Sequence, residues 1–433
     1  MSDQLWSFRG GTVVDALGVR QADVTVQGDT IVAVGEGAGS GRSIDVSGCY
    51  IMPGVVDIQV HFRTPGGEVS ETMETGAASA ALGGVTACVM MPNTTPTIDS
   101  VELVRDVRQR AVGLPCDVLT SAAITVDRVG ERLTDFEALY NEGVRIFTDD
   151  GTAVANAALM REALAATVKL PDAVVAQHAE DPDLVGDGSL NESTVAKKLG
   201  VVGRPREAEE VIVARDLILA RHTGGRYHVL HMSTAEALDL VRAARAAGVR
   251  ATAEVTPQHL LLTENDVEPL GTSGKMNPPL RESSDTAALR EGLRDGTIDA
   301  IATDHAPHSP ESKCQPLADA PPGMLGVETS AAVVFSELVA NGDLDLQQAV
   351  RILSTNPAAI AGIGGPRGHG GPITAGTAAN LAVIDPQTSW VVTGTDLASR
   401  SDNTPWQDRE FSARVRHTVL RGRFTVQDSR LVG

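Results

Sequence analysis

The stretch Gly54-Val-Val-Asp57-Ile58-Gln59-Val60-His61-Phe62-Arg63 decides the fold. Its alternation of period two places Asp57, Gln59, His61 and Arg63 on one face of a strand and Ile58, Val60 and Phe62 on the other. Seven further short apolar runs follow at Val85–Met91, Asp117–Ile124, Val144–Thr148, Ala173–His178, Tyr227–His231, Arg250–Thr256 and Ala300–Asp304. Amphipathic segments such as Pro205–Ala220 and Thr234–Ala247 lie between them. Eight strands alternating with helices over residues 53–372 predict an α/β fold, a (β/α)8 barrel, in which chemistry sits where strands end and loops begin.

Both ends of the chain read differently. Thr12–Asp15, Asp23–Val26 and Thr30–Val34 before the barrel are β-branched runs, as are Asn380–Asp385, Trp390–Thr393 and Arg414–Val426 after it. Residues 1–52 and 373–433 are therefore expected to pair into one composite β domain. The glycine cluster 35–41 precedes a strand rather than a helix, so it reads as a turn and not as a phosphate loop. Gly364–Gly371 is expected to be a flexible linker with His369 solvent-exposed, and the Pro-rich stretch 310–323 a mobile loop at the barrel mouth.

Bulk properties narrow the function. A formal charge of −20 excludes nucleic acid or an anionic membrane as the main partner, because phosphate binding needs a basic patch. An anionic small molecule, which responds to a few local residues, stays compatible. No apolar run has membrane length, and the N-terminus lacks a basic stretch followed by an apolar core, which predicts a cytoplasmic location. The four cysteines form no CxxC pair and read as reduced thiols.

The strand ends carry the chemistry. Strand four ends Thr148-Asp149-Asp150-Gly151, strand five Gln177-His178-Ala179-Glu180, strand six His228-Val-Leu-His231, and strand eight Thr303-Asp304-His305-Ala-Pro307-His308. Singly, each has a plain structural explanation: a strand-end His is ordinarily a hydrogen-bonded core residue, and Asp-Asp-Gly a turn or helix cap. Together, His and Asp at the C-terminal ends of strands one, four, five, six and eight converge on one barrel mouth. Imidazole and carboxylate there suit zinc and similar divalent ions.

These residues carry a resemblance to the cyclic amidohydrolases, closest to bacterial dihydroorotases with an Asp-Asp-Gly motif. It extends through Pro53-Gly-Val-Val-Asp57, Met91-Pro-Asn-Thr-Thr-Pro96, Glu254-Val-Thr-Pro257, Asn277-Pro-Pro-Leu-Arg281, Gly323-Met-Leu-Gly-Val-Glu-Thr329 and Ser399-Arg-Ser-Asp-Asn-Thr-Pro405, essentially the whole chain. The resemblance implies that His61, Asp150 and Asp304 hold one metal and Asp150, His178 and His231 another, with Asp149 the alternative to Asp150. It implies that Arg63, Asn93 and His308 grip a substrate carboxylate and that Asn277 touches the ring. The guanidinium's planar fork suits that carboxylate. Many relatives bridge two metals with a carbamylated lysine on strand four. None of the five lysines, at 169, 197, 198, 275 and 313, falls there, so an aspartate takes that place and one or two ions are expected.

The implied activity is reversible hydrolysis of (S)-dihydroorotate to N-carbamoyl-L-aspartate in pyrimidine biosynthesis. A metal-activated hydroxide would attack, and Asp304 would serve as general base and then acid. The sequence departs from the family's usual His-x-His at its first position, where Gln59 stands; a carboxamide is the weaker metal donor. Two other readings therefore stay open: a hydantoinase- or allantoinase-like enzyme, and a non-catalytic paralogue partnering aspartate transcarbamoylase. Homo-oligomers are compatible with either.

Overall fold

A computed structural model describes residues 5–37 and 41–432, so part of the glycine cluster lies outside the described residues. Eight parallel strands run Val55–Val60, Val85–Met90, Asp117–Thr120, Ile146–Phe147, Val174–Gln177, Tyr227–Val229, Ala251–Val255 and Ala300–Ile301. Neighbours pair in sequence order, the third and fourth strands join through Ala122 and Phe147, and Val60 pairs with His305 to close the ring. The result is the (β/α)8 barrel that the alternating pattern predicts.

Between strands five and six the chain forms helix Glu207–Thr223, with acidic residues in its first turn and Arg221 and His222 in its last, both matched to the helix dipole. Thr234 caps the next helix, Ala235–Ala246, by accepting from Ala237 N. Gly76, on helix Met73–Leu82, is needed for close approach: a Cβ there would stand 2.4 Å from Phe62 Cδ1. The buried Phe62 ring thus locks the end of strand one against that helix, a contact whose loss as Phe62→Ala costs about 3–5 kcal/mol.

Strict alternation in strand one does not hold. Its register shifts between Val55 and Val56 and again between Asp57 and Val60. Asp57 is drawn to Thr303, accepting from its N at 3.2 Å and Oγ1 at 2.5 Å, while Gln59 and His61 both reach Asp150. A bulge re-aims side chains in a way that no period-two count contains.

The ends of the chain form two sheets. One takes Thr12–Asp15, Gly18–Gln21, Tyr50–Pro53, Leu381–Asp385, Arg414–Leu420, Arg423–Gln427 and Arg430–Leu431; the other takes Trp6–Arg9, Asp23–Gln27, Thr30–Gly35 and Arg42–Asp45. Phe8, Val24, Val26, Ile51, Val383 and Val419 join in their shared core. Trp390–Val391 behaves differently. It pairs with Glu410–Phe411, and this pair packs through Trp406 and Phe411 on Met276, Met324 and Leu325 of the barrel loops.

Two loop expectations are overturned. His369 is buried, bridging Thr86 Oγ1 at 3.0 Å and Asp117 Oδ2 at 3.0 Å, because the glycines around it let the backbone turn inward. The 310–323 segment is fastened rather than loose. Lys275 Nζ donates to the carbonyls of Leu317 and Ala318, and Lys313 Nζ to those of Thr272 and Pro321, all at 2.8–2.9 Å. Burial pulls Lys313 down to about 7.

Candidate active site

Two ligand groups share one carboxylate at the barrel mouth. Asp150, His178 and His231 form the first, and His61, Asp150 and Asp304 the second; within each, the ligand atoms lie within 4.8 Å of one another and every residue is buried. Asp150 Oδ1 faces His231 Nε2 at 3.4 Å and His178 Nδ1 at 3.7 Å, and Oδ2 faces His61 Nε2 at 3.3 Å. Asp149 is turned away, accepting from Thr125 N and Oγ1.

The donor chemistry fits a divalent cation. His61 Nδ1 meets Asn93 Oδ1 at 2.9 Å and so carries the proton, which leaves the Nε2 lone pair 2.8 Å from Asp304 Oδ1. A lone pair aimed at two carboxylates is repulsive unless a proton or metal lies between them. His178 repeats the pattern. Nε2 donates to Glu180 Oε2 at 2.9 Å, and Nδ1 faces His231 Nε2 at 2.9 Å. Burial alone would lower His178, but Asp150 and Glu180 outweigh it and push the imidazole up to about 9. Asp150 is likewise desolvated, yet His178 and His231 hold it well below the ordinary carboxylate range. A site that concentrates negative potential on imidazoles in this way is prepared for a cation.

Gln59 is fully buried. Its Nε2 donates to Asp150 Oδ1 at 3.1 Å, and its Oε1 has no partner among the described residues. An amide stands beside the shared carboxylate and presents its N–H rather than its oxygen.

Three of the expected carboxylate-gripping groups reach the same mouth. Arg63 is half-buried, donates from Nε to Pro307 O at 3.2 Å, and has no carboxylate within 4.0 Å among the described residues. Burial lowers its pKa, with Asp304, Asp150 and Glu71 opposing from farther off. His308 Nε2 donates to Pro322 O at 2.8 Å, and burial and Arg63 push it down to about 3, so it stays neutral. Asn93 has its oxygen committed to His61. Asn277 Oδ1 is buried without a partner, an unmet polar atom. Three residues of the mouth, Arg63, His231 and Asp304, hold positive φ of 54°, 31° and 47°. Non-glycine residues in that region are strained, and such strain collects at functional sites.

Sequence reasoning missed part of the surroundings. Glu180, inside the quoted strand-five motif, holds His178 and is itself held by Arg204 Nη1 at 2.7 Å. Against desolvation, His178 and Arg204 bring Glu180 down to about 2. Its spacing of two from His178 was a visible signal; Arg204 offered none. Below the ligands, Glu254 is pushed by burial up to about 8 and meets His228 Nε2 at 3.0 Å, so His228 belongs to the barrel interior and not to the ligand groups.

A (β/α)8 barrel with imidazole and carboxylate groups converging on its C-terminal mouth is the architecture of the metal-dependent amidohydrolases. Among solved structures, the dihydropyrimidinase of Brevibacillus agri superposes with a TM-score of 0.86 at 26% identity, covering 99% of this chain and 96% of that one. The L-hydantoinase of Arthrobacter aurescens superposes at 0.88 with 22% identity, a likeness of fold, covering 99% and 97%. The family model described as dihydro-orotase-like matches residues 48–237. Dihydroorotase of Mycobacterium leprae is 44% identical over 414 residues, 94% of this chain and 95% of that protein. Those of Streptomyces coelicolor and Bacillus subtilis are 43% and 40% identical, each over 429 residues, 98% of this chain and 99% of theirs. The chain belongs to the dihydroorotase family.

Among the described residues, no helix is long and apolar enough to cross a membrane.

Proposed function

We propose that this enzyme catalyses the reversible hydrolysis of the ring amide of (S)-dihydroorotate to N-carbamoyl-L-aspartate. The observation that carries the reading is the Arg63 guanidinium, desolvated at the mouth with no protein carboxylate against it. A partly buried cation left without a counter-charge is costly, and a substrate carboxylate relieves that cost. Neutral hydantoin-type rings offer no such partner. The matched dihydroorotases at 40–45% identity support the same substrate.

Asp150, His178 and His231 would hold one ion, and His61, Asp150 and Asp304 a second, with zinc the metal that suits this nitrogen-rich set. Bound there, a metal supplies a polarised amide carbonyl and an acidified water. The chain's own residues do the rest. Arg63 would orient the carboxylate, and with it the ring, against the ligand groups, and the unpartnered Asn277 oxygen would accept from a ring N–H. Asp304, whose Oδ1 lies 2.8 Å from His61 Nε2, would take a proton from the attacking water and return it to the departing ring nitrogen. The neutral His308 presents an uncharged edge beside Arg63. Convergence of all these groups on one mouth weighs against a purely non-catalytic role.

The test is turnover of dihydroorotate by the purified protein with its metal content measured alongside. Ring opening that chelation abolishes and zinc restores is the expected result. Turnover of hydantoin without dihydroorotate, or no turnover by metal-loaded protein, overturns the reading.

A further inference from the structure

Lys275, in the loop after strand seven, and Lys313, in the loop after strand eight, are both buried on the mouth side of the barrel. Neither meets a carboxylate within 4.0 Å among the described residues. Lys275 Nζ donates to Leu317 O and Ala318 O, both at 2.8 Å, and Lys313 Nζ to Thr272 O and Pro321 O, both at 2.9 Å. Two further bonds join the same loops: Thr272 Oγ1 donates to Lys313 O at 2.7 Å, and Gly323 N to Lys275 O at 2.8 Å. Desolvated cations on neutral carbonyls are costly, and apolar packing would close two loops at less cost. Burial, and after it the charge of Lys275, bring Lys313 down to about 7. Asp319 favours the charge on Lys275 only from farther off.

What the clamp holds explains the expense. His308 Nε2 donates to Pro322 O at 2.8 Å. Pro322 lies between the two fastenings, because Pro321 O accepts from Lys313 and Gly323 N donates to Lys275 O. The carbonyl that receives the His308 proton is therefore fixed from both sides. Gly323, at φ 142°, brings the strap directly against the imidazole, where a Cβ would stand 2.9 Å from His308 Cδ2. The His308 backbone is fixed separately. Asn403, from the C-terminal tail, accepts from His308 N at 3.1 Å and donates to Ala306 O at 3.0 Å and Gly323 O at 3.1 Å. Asn403 thus settles where the His308 backbone lies, while the clamp settles how the ring points and which nitrogen bears its proton.

We propose that Lys313, braced by Lys275, is a positioning residue: through the Pro322 carbonyl it fixes the orientation and tautomer of His308, whose Nε2 lies 3.4 Å from Arg63 Nη2, and so sets how tightly the substrate is held there. The effect on binding rests on the dihydroorotate reading; the hold on His308 does not.

The test compares metal-loaded wild type, Lys313→Met, His308→Ala and the double variant. Lys313→Met keeps the apolar stem and removes the ammonium. KM for dihydroorotate should rise about five- to tenfold, the equivalent of one weakened hydrogen bond, with kcat within about threefold. In the His308→Ala background the same substitution should move KM less than about twofold. Lys313→Arg, still able to reach both carbonyls, should keep most of the wild-type affinity. An unchanged KM, or an equal rise in both backgrounds, overturns the proposal. If Lys313→Met does not fold, Lys313→Gln, uncharged and able to donate to one carbonyl, carries the same comparison.

Nitrogen-15 spectra of histidine-labelled protein read the clamp without substrate, the His308 signal being assigned by its loss in His308→Ala. The wild type should show one neutral tautomer protonated at Nε2, and Lys313→Met a mixture of both. A single unchanged tautomer in the variant overturns the positioning role. Wild type that does not turn over dihydroorotate overturns the substrate reading instead, and the spectra then decide the role of Lys313 by themselves.

Discussion

Replacing Arg63 by methionine separates substrate recognition from folding. In the folded protein the Arg63 side chain donates to Pro307 O at 3.2 Å, has Nη2 3.4 Å from His308 Nε2, which is itself committed to Pro322 O, and makes no ion pair within 4.0 Å among the described residues. Losing the bond to Pro307 costs about 1 kcal/mol, and removing a desolvated, unpaired charge returns a similar amount. The methionine would inherit the same φ of 54°, so backbone strain is unchanged. Net stability should therefore move by less than about 1 kcal/mol. Catalysis should not escape so lightly. A guanidinium fork on a carboxylate makes two charge-assisted bonds of about 1.5–3 kcal/mol each, so kcat/KM for dihydroorotate should fall by about two to four orders of magnitude. Arg63→Lys should recover part of the loss. The assay is chromatographic measurement of N-carbamoyl-L-aspartate formation, with thermal melts of each variant and dihydrouracil, the ring without the carboxylate, as control. The reasoning is refuted if Arg63→Met keeps kcat/KM within about threefold, or loses activity on both rings alike.

Three further expectations concern the metal groups and the small sheets. Gln59→His puts a lone-pair donor where an N–H now faces Asp150; metal retained per chain after dialysis should rise, and an unchanged ratio would count against a weakened His61–Asp150–Asp304 group. Glu180→Gln removes the anion that fixes the His178 ring and leaves Arg204 unpaired, so metal affinity by competitive chelation should fall about ten- to a hundredfold; equal affinity would show that Glu180 plays no such part. His417 is buried against Phe8 and Phe424, and burial lowers it from 6.5 to about 4. Below 6.5 the unfolded chain therefore takes up a proton that the folded one refuses, and the stability that His417 contributes is lost as pH falls toward 4. His417→Phe should gain on the wild type over that window by up to about 1.4 kcal/mol per pH unit, read from melts at several pH values; a pH-independent difference would contradict the linkage.

The barrel was legible because its signal is local. Strands such as Val174–Gln177 and Ala251–Val255 are short apolar runs between capped amphipathic helices, and their order in sequence is their order in the ring. The residues of the two candidate ligand groups were legible because strand ends of a barrel converge whatever the loops do. His369 and the 310–323 loop were misread because glycine and proline content reports backbone freedom and not burial. Whether Asp117 or the carbonyls near Lys275 and Lys313 wait nearby is a matter of distant chain.

The sequence by itself determined the barrel, the family and the identity of the convergent side chains, since each rests on residue type and spacing along the chain. Tertiary structure alone decided which atoms meet. It placed Asp150 rather than Asp149 between the imidazoles and turned the Gln59 amide toward Asp150. Those outcomes depend on a register shift in strand one and on contacts across tens of residues. Such features follow from the closing of the whole ring, and no window of sequence contains them.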